Sequence, residues 1–327
     1  MDSINTIKIK FFIGLIAGGL FFAPPLLILQ AQEQAAISDD QSVDPNSLKK
    51  NGEDTADPNT LDTEDDIFNL NLSGLSTIYM AYEAIFTPEL ITEDGRVDYD
   101  TLKRKRQDVV AAERALKALN PAILMSMNTE QKKAFWINTY NFCMIDVILR
   151  KYPIEPKWWN ILYPDNSVMQ ISGAWDKEFF GIQQLEYNLK EIEKEYLLER
   201  YKDPRICFAL SNASIGGPLL RNRPYTAEKI DEQLDDQVKK YLNLPDRGMR
   251  IDKENNVLYL SNIFRMYRDT FMASDYAKIK KFRNLKEDDK TWVNFIFGYL
   301  SDEDARYLEN ADFQVRFIEF NWHLNQK

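Results

Sequence analysis

The sequence predicts one α+β domain over residues 67–327, mainly helical, with a small and mostly antiparallel sheet. Three observations predict it. Apolar residues recur at spacings of three and four through most of this region. Strand-like stretches are few and short, and one of them reads as a hairpin turned at Asn255-Asn256. Alternating strand–helix–strand units are absent, which argues against a doubly wound sheet.

Taken in order, "LSTIYMAYEAIF" reads as a helix with Leu75, Ile78, Tyr82 and Ile85 on one face. A turn at Asp94-Gly95 leads through a short extended piece to a charged helix, expected from Asp100 to Leu119 and stopped before Pro121. "TEQKKAFWINTYNFCMIDVILRKYP" is the strongest helix, with Thr129 as its expected N-cap and Pro153 as its stop. Its apolar surface is wide enough to make it central, and Cys143 reads as a core thiol. Residues 154–180 read as an aromatic loop, and "YNLKEIEKEYLLERY" as a further helix. "RICFAL" reads as a short buried strand. "YTAEKIDEQLDDQVKKYLN" is amphipathic, with Thr226 as its expected cap. "MRIDKENNVLYLSNIF" is the hairpin. Helices are expected in "DYAKIKKFRNL" and "KTWVNFIFGYL", and a closing strand in "FQVRFIEFNWHLN".

The N-terminal region reads differently. An apolar run from Phe11 to Leu29 follows Lys8 and Lys10. It reads first as a cleaved signal ending near Ala31, then as an uncleaved membrane anchor, and last as a core helix. The first two readings place the domain outside the cytoplasm, periplasmic or extracellular, with membrane contact through residues 11–29 under the second. Residues 32–66 read as an acidic, flexible tether.

Charge and rare residues exclude several functions. The net charge is −10. Residues 33–66 set eleven acids against Lys49 and Lys50, a net −9, and residues 1–32 contribute +1, which leaves −2 for residues 67–327. A nearly neutral domain has no basic field for nucleic acid. Two cysteines, Cys143 and Cys207, and one histidine, His323, do not make a structural zinc site. No cofactor is expected. One Cys143–Cys207 bridge is allowed, but two separate buried thiols are the favoured expectation.

Seven ordered blocks carry a resemblance: "GRVDYDTLK" (95–103), "KAFWINTYN" (133–141), "YPDNSVMQISGAWDK" (163–177), "LKEIEKEYL" (189–197), "DPRICFALSNASIGGPLLRNRPYTAEKIDEQLDDQ" (203–237), "VLYLSNIFRMYRDTF" (257–271) and "FNWHLN" (320–325). Together they resemble the bacterial domain of unknown function 547 family. The resemblance implies Cys before Pro in the loop, His before "FAL" and His after Ile-Glu, a set suited to thiol chemistry. Here those positions hold Gly217, Cys207 and Lys194.

The residues themselves offer little else for catalysis. "NASIG" lacks the first glycine of a nucleophile elbow, and Pro218 interrupts the helix that should follow. A Ser214–Lys194 dyad needs the two to meet in the fold. Asn138 and Asn141 sit one turn apart in a very apolar helix, where an unpaired amide is costly. They either pin the loop, or floor a pocket with Trp136, Glu193, Lys194, Cys207, Ser214, Gly217, Arg221 and Tyr225, in which Arg221 holds an anion. The leading expectation is an exported, non-catalytic binding or structural module of the cell envelope. The alternative is an envelope hydrolase or transferase whose thiol-type site has been rebuilt around other residues.

Overall fold

The structure, a computed structural model, describes residues 64–327, and their side chains from Gly74 onward. All of them belong to one unit, Asn59–Lys327. The expectations for residues 1–63, signal or anchor and most of the acidic tether, lie outside the described residues.

Helix α1 (Glu64–Ile85) buries Ile78, Tyr82 and Ile85, as its spacing requires. The charged helix expected over 100–119 is two helices, α2 (Tyr99–Arg104) and α3 (Arg106–Ala118). Lys105, at φ −91° and ψ 33°, breaks the ladder between them. Pro121 opens α4 (Pro121–Ser126) behind an Asn120 cap, the first-turn position where its missing N–H costs nothing. Helix α5 (Thr129–Lys151) is central as expected, with every residue from Ala134 to Leu149 buried. Its cap is Asn128 rather than Thr129. Asn128 and Gln131 close a capping box, each side chain accepting the other's backbone N–H at 2.8 and 2.9 Å.

Strands β1 (Phe179–Ile182) and β2 (Leu185–Asn188) form an antiparallel hairpin that the sequence did not announce. A helical run follows as expected, but its middle is widened. Helix α6 (Leu189–Glu191) leads into a π-helical stretch (Ile192–Leu198) and then α7 (Glu199–Tyr201). The segment expected as a buried strand is a 3₁₀ helix, Pro204–Phe208. Asp203 caps it by accepting the Arg205 N–H at 3.0 Å, and Pro204 fixes φ at its first turn. A short apolar run does not by itself separate a buried strand from a buried helical turn.

Helix α8 (Ile230–Leu242) is preceded by a 3₁₀ turn, Ala227–Lys229. Thr226 does not cap it with its side chain; instead its N–H donates to Gln233 Oε1 at 3.0 Å. Strands β3 (Met249–Asp252) and β4 (Val257–Leu260) pair antiparallel around Asn255-Asn256, as expected. Next come α9 (Ile263–Met266) and α10 (Arg268–Met272), then only a 3₁₀ turn, Asp275–Lys278, where "DYAKIKKFRNL" was expected to be helical. Helices α11 (Glu287–Ile296) and α12 (Asp302–Asn310) precede β5 (Gln314–Phe317), which pairs parallel to β4. The architecture is the expected mainly helical α+β, with sheets of two and three strands. Among the described residues no helix is long and apolar enough to cross a membrane.

Two apolar clusters form the core. One surrounds α5; the other packs α8, β4 and α11 around Phe208, whose ring stacks on Phe295 at 5.6 Å. Cys143 lies in the first and Cys207 in the second, both buried and unbridged.

Candidate functional site

The loop from Ala209 to Gly217 follows the misread 3₁₀ turn and is held from three sides. From α5, Asn141 donates through Nδ2 to the Ala209 carbonyl at 2.8 Å and accepts the Ser211 N–H at 2.9 Å. Asn138 clasps Tyr225 in the same way, donating to its carbonyl and accepting its N–H, both at 2.8 Å. From the C-terminal segment, the carbonyls of His323 and Asn321 accept the N–H groups of Ile215 and Gly216, both at 2.8 Å. From the second cluster, Tyr241 donates its hydroxyl to the Gly216 carbonyl at 2.7 Å, and Arg247 donates to the Ile215 carbonyl at 2.7 Å. A polar backbone buried this deeply is stable only when its groups are paired. The two asparagines that looked costly in an apolar helix are clamps, Asn141 on the loop and Asn138 on the backbone at Tyr225 beyond it.

The three positions where the resemblance implies reactive side chains are accounted for separately. At Gly217, a Cβ would fall 1.9 Å from Asn212 Oδ1 and 3.0 Å from Ser214 Oγ. That oxygen already accepts the Ser214 hydroxyl at 2.6 Å, so the loop closes over the place where a side chain would start. Cys207 is fully buried, and burial, helped by the nearby Glu193 carboxylate, pushes its thiol well above its ordinary pKa. Burial of this kind makes a thiol inert. Lys194 is exposed and pairs with Glu199 at 3.6 Å. Ser214 is buried and bonded to Asn212, so it does not meet the exposed Lys194 amine.

The ten pocket residues named from sequence do not surround one cavity among the described residues. Trp136 is core, packed on Tyr196 at 4.4 Å. Asn138, Asn141, Cys207, Ser214, Gly217 and Tyr225 are buried. Arg221 lines a cleft of about 740 Å³ between α1 and α8, where it pairs with Asp236 at 2.8 Å and lies over the Tyr225 ring. Acids Glu83, Glu89, Glu232 and Asp236 face it across that cleft, so no net positive field awaits an anion there.

Glu193 and Lys194 line a different cleft, of about 510 Å³, beside α10. The π-helical turn carries Glu193 inward, and π-bulges of this kind often mark functional sites. Its Oε2 accepts the hydroxyls of Tyr140 at 3.0 Å and Tyr267 at 3.3 Å, and Trp175 donates its indole N–H to the Tyr140 oxygen at 3.3 Å. Burial raises the Glu193 pKa, although the two phenols stabilise the carboxylate and act the other way. Sequence reasoning named Glu193 but missed Tyr140 and Tyr267. The one signal for them was their place on the central helix and in the "VLYLSNIFRMYRDTF" block. His323 is exposed, its Nδ1 2.8 Å from Asn321 Oδ1. No group of three or more metal-ligating side chains occurs among the described residues.

A mainly helical α+β domain with a clamped central loop is the class this geometry defines. Residues 124–242 match the family described as "Protein of unknown function, DUF547". The matched span runs from within α4 to the end of α8 and takes in α5, the clamped loop and Glu193. No curated protein and no solved structure gives a significant match.

Proposed function

We propose that this chain is a non-catalytic member of its family, exported and acting as a binding or structural module at the cell envelope. The observation that carries the proposal is the sealed loop. The position implied to hold the nucleophile is a glycine whose Cβ space belongs to Asn212. The one thiol near the loop is buried and hard to ionise. A nucleophile needs both exposure and an accessible thiolate. Export rests on the sequence of residues 1–31, with its lysines ahead of an apolar run.

Thiol labelling of the native full chain at neutral pH tests the loss of chemistry. Neither Cys143 nor Cys207 should react until the chain is unfolded, when both should. Fast native labelling of Cys207 would overturn the proposal. Intact mass of the protein recovered from a cell-envelope fraction tests export, and recovery in the cytoplasm alone counts against it.

The alternative, an enzyme with a rebuilt site, is favoured by the Glu193 cleft. A buried carboxyl with a raised pKa, open to a cleft, is suited to general acid–base work. Under that reading E193Q abolishes turnover of an envelope substrate while leaving the fold intact.

A further inference from the structure

The loop between α5 and the hairpin exposes its largest apolar side chains. Trp158 is 83% exposed, Trp159 60%, Ile161 82% and Leu162 90%. Single exposed apolar residues are ordinary, but four within five positions are a patch with a use. The loop is not loose. The buried Gln170 side chain sits at its base, accepting the Lys157 N–H through Oε1 at 2.9 Å. Its Nε2 faces the carbonyls of Asn160, Tyr163 and Pro164, each at 3.2 Å. Asn160 adds a bond from Nδ2 to the Met169 carbonyl at 2.6 Å. A buried polar network therefore holds an apolar tip out in water, so little ordering entropy is left to lose on binding.

We infer that this tip inserts into the interface of a lipid bilayer. The residue types fit: paired indoles suit the headgroup boundary, and Ile161 and Leu162 suit the acyl edge. The flanking charges cancel, Lys151 and Lys157 against Glu155 and Asp165, so apolar burial rather than attraction to anionic lipid carries the contact. The occupant is argued from the chain outside the described residues. The run from Phe11 to Leu29 has the length of a bilayer span. The inference rests on the proposed export, and its test separates the two.

The full chain is mixed with phosphatidylcholine vesicles whose acyl chains are brominated near the headgroups, and tryptophan emission is compared for the parent and W158S/W159S. Both residues are exposed, so an unchanged circular dichroism spectrum and urea midpoint are expected. Brominated lipid should quench the parent, insensitively to salt, and the double variant should lose that quenching. Binding of any protein lacking the N-terminal run should weaken on the order of a hundred-fold in the double variant. Absent quenching, or equal quenching in both proteins, overturns the inference. So does concentration-dependent shielding of the two indoles from acrylamide without lipid, which would assign the tip to a second copy of this chain. Flotation after an alkaline wash reads the N-terminal anchor separately: quenching without flotation leaves the tip standing and removes the anchor.

Discussion

Replacing Gly217 by alanine should destabilise the domain through one named collision. Gly217 does not adopt a left-handed φ, so its backbone suits alanine, and lost unfolded-state entropy would alone stabilise by about 0.4–1 kcal/mol. The added Cβ would meet Asn212 Oδ1 at 1.9 Å. To escape, Asn212 must swing away and abandon the Ser214 hydroxyl at 2.6 Å and the Ser214 N–H at 3.2 Å. Ser214 is 3% exposed, so both donors are left without water. Two such losses at about 1–3 kcal/mol each, less the entropic gain, give roughly 1–6 kcal/mol, with about 3 kcal/mol at the centre. For a domain of this size the central value lowers Tm by about 6–12 °C. Urea unfolding followed by circular dichroism measures it. The cycle with Asn212→Ala isolates the cause: once the asparagine is gone the collision is gone, so G217A on the N212A background should cost less than about 0.5 kcal/mol. Additive costs, or a parent-like G217A single variant, would refute the reasoning and reopen position 217 as space for a side chain.

Two further predictions concern the clamps and the buried carboxyl. Asn141→Ala removes two buried bonds to the loop and leaves Ala209 O and Ser211 N–H unpaired, so chemical denaturation should show a loss of about 2–4 kcal/mol. Glu193 has a folded pKa raised above the usual carboxyl value, so the folded chain holds a proton that the unfolded chain has released. The stability this neutral form provides is present at low pH and lost as pH rises through the folded pKa. E193Q should therefore gain on the parent in unfolding free energy as pH rises above the unfolded carboxyl's value of about 4.3, and stop gaining once the pH passes the folded pKa. E193A should be the less stable of the two at both ends, because Tyr140 and Tyr267 lose their acceptor.

The elements legible in the sequence were those whose signal is local. The apolar face of α1, the wide apolar surface of α5 and the Asn255-Asn256 hairpin all came through, because period and turn chemistry speak for themselves there. The hairpin β1–β2 did not, because Gln183 and Gln184 take positive φ, at 53° and 63°, without glycine or asparagine. Their N–H groups donate to the carbonyls of Leu116 and Lys117 in the last turn of α3, at 3.0 and 3.1 Å. A tertiary contact thus pays for a turn that no turn residue announces. "RICFAL" was misread for the converse reason: burial on all sides removes the alternation that separates a strand from a helical turn. At the site, Asn138 and Asn141 were legible as amides that had to be paired. The phenols on Glu193 were not, since Tyr140 and Tyr267 meet it only through the fold.

Native-state hydrogen exchange across residues 211–217 tests the sealed loop most directly. The N–H groups of Ser211, Ile215 and Gly216 are bonded to Asn141, His323 and Asn321. A structural loop predicts that they exchange only with unfolding of the α5 core, at the same free energy as the amides of Phe142 and Cys143. Exchange through a low-energy local opening, with the α5 amides still protected, would mean that the loop opens in the folded protein, and would contradict the account.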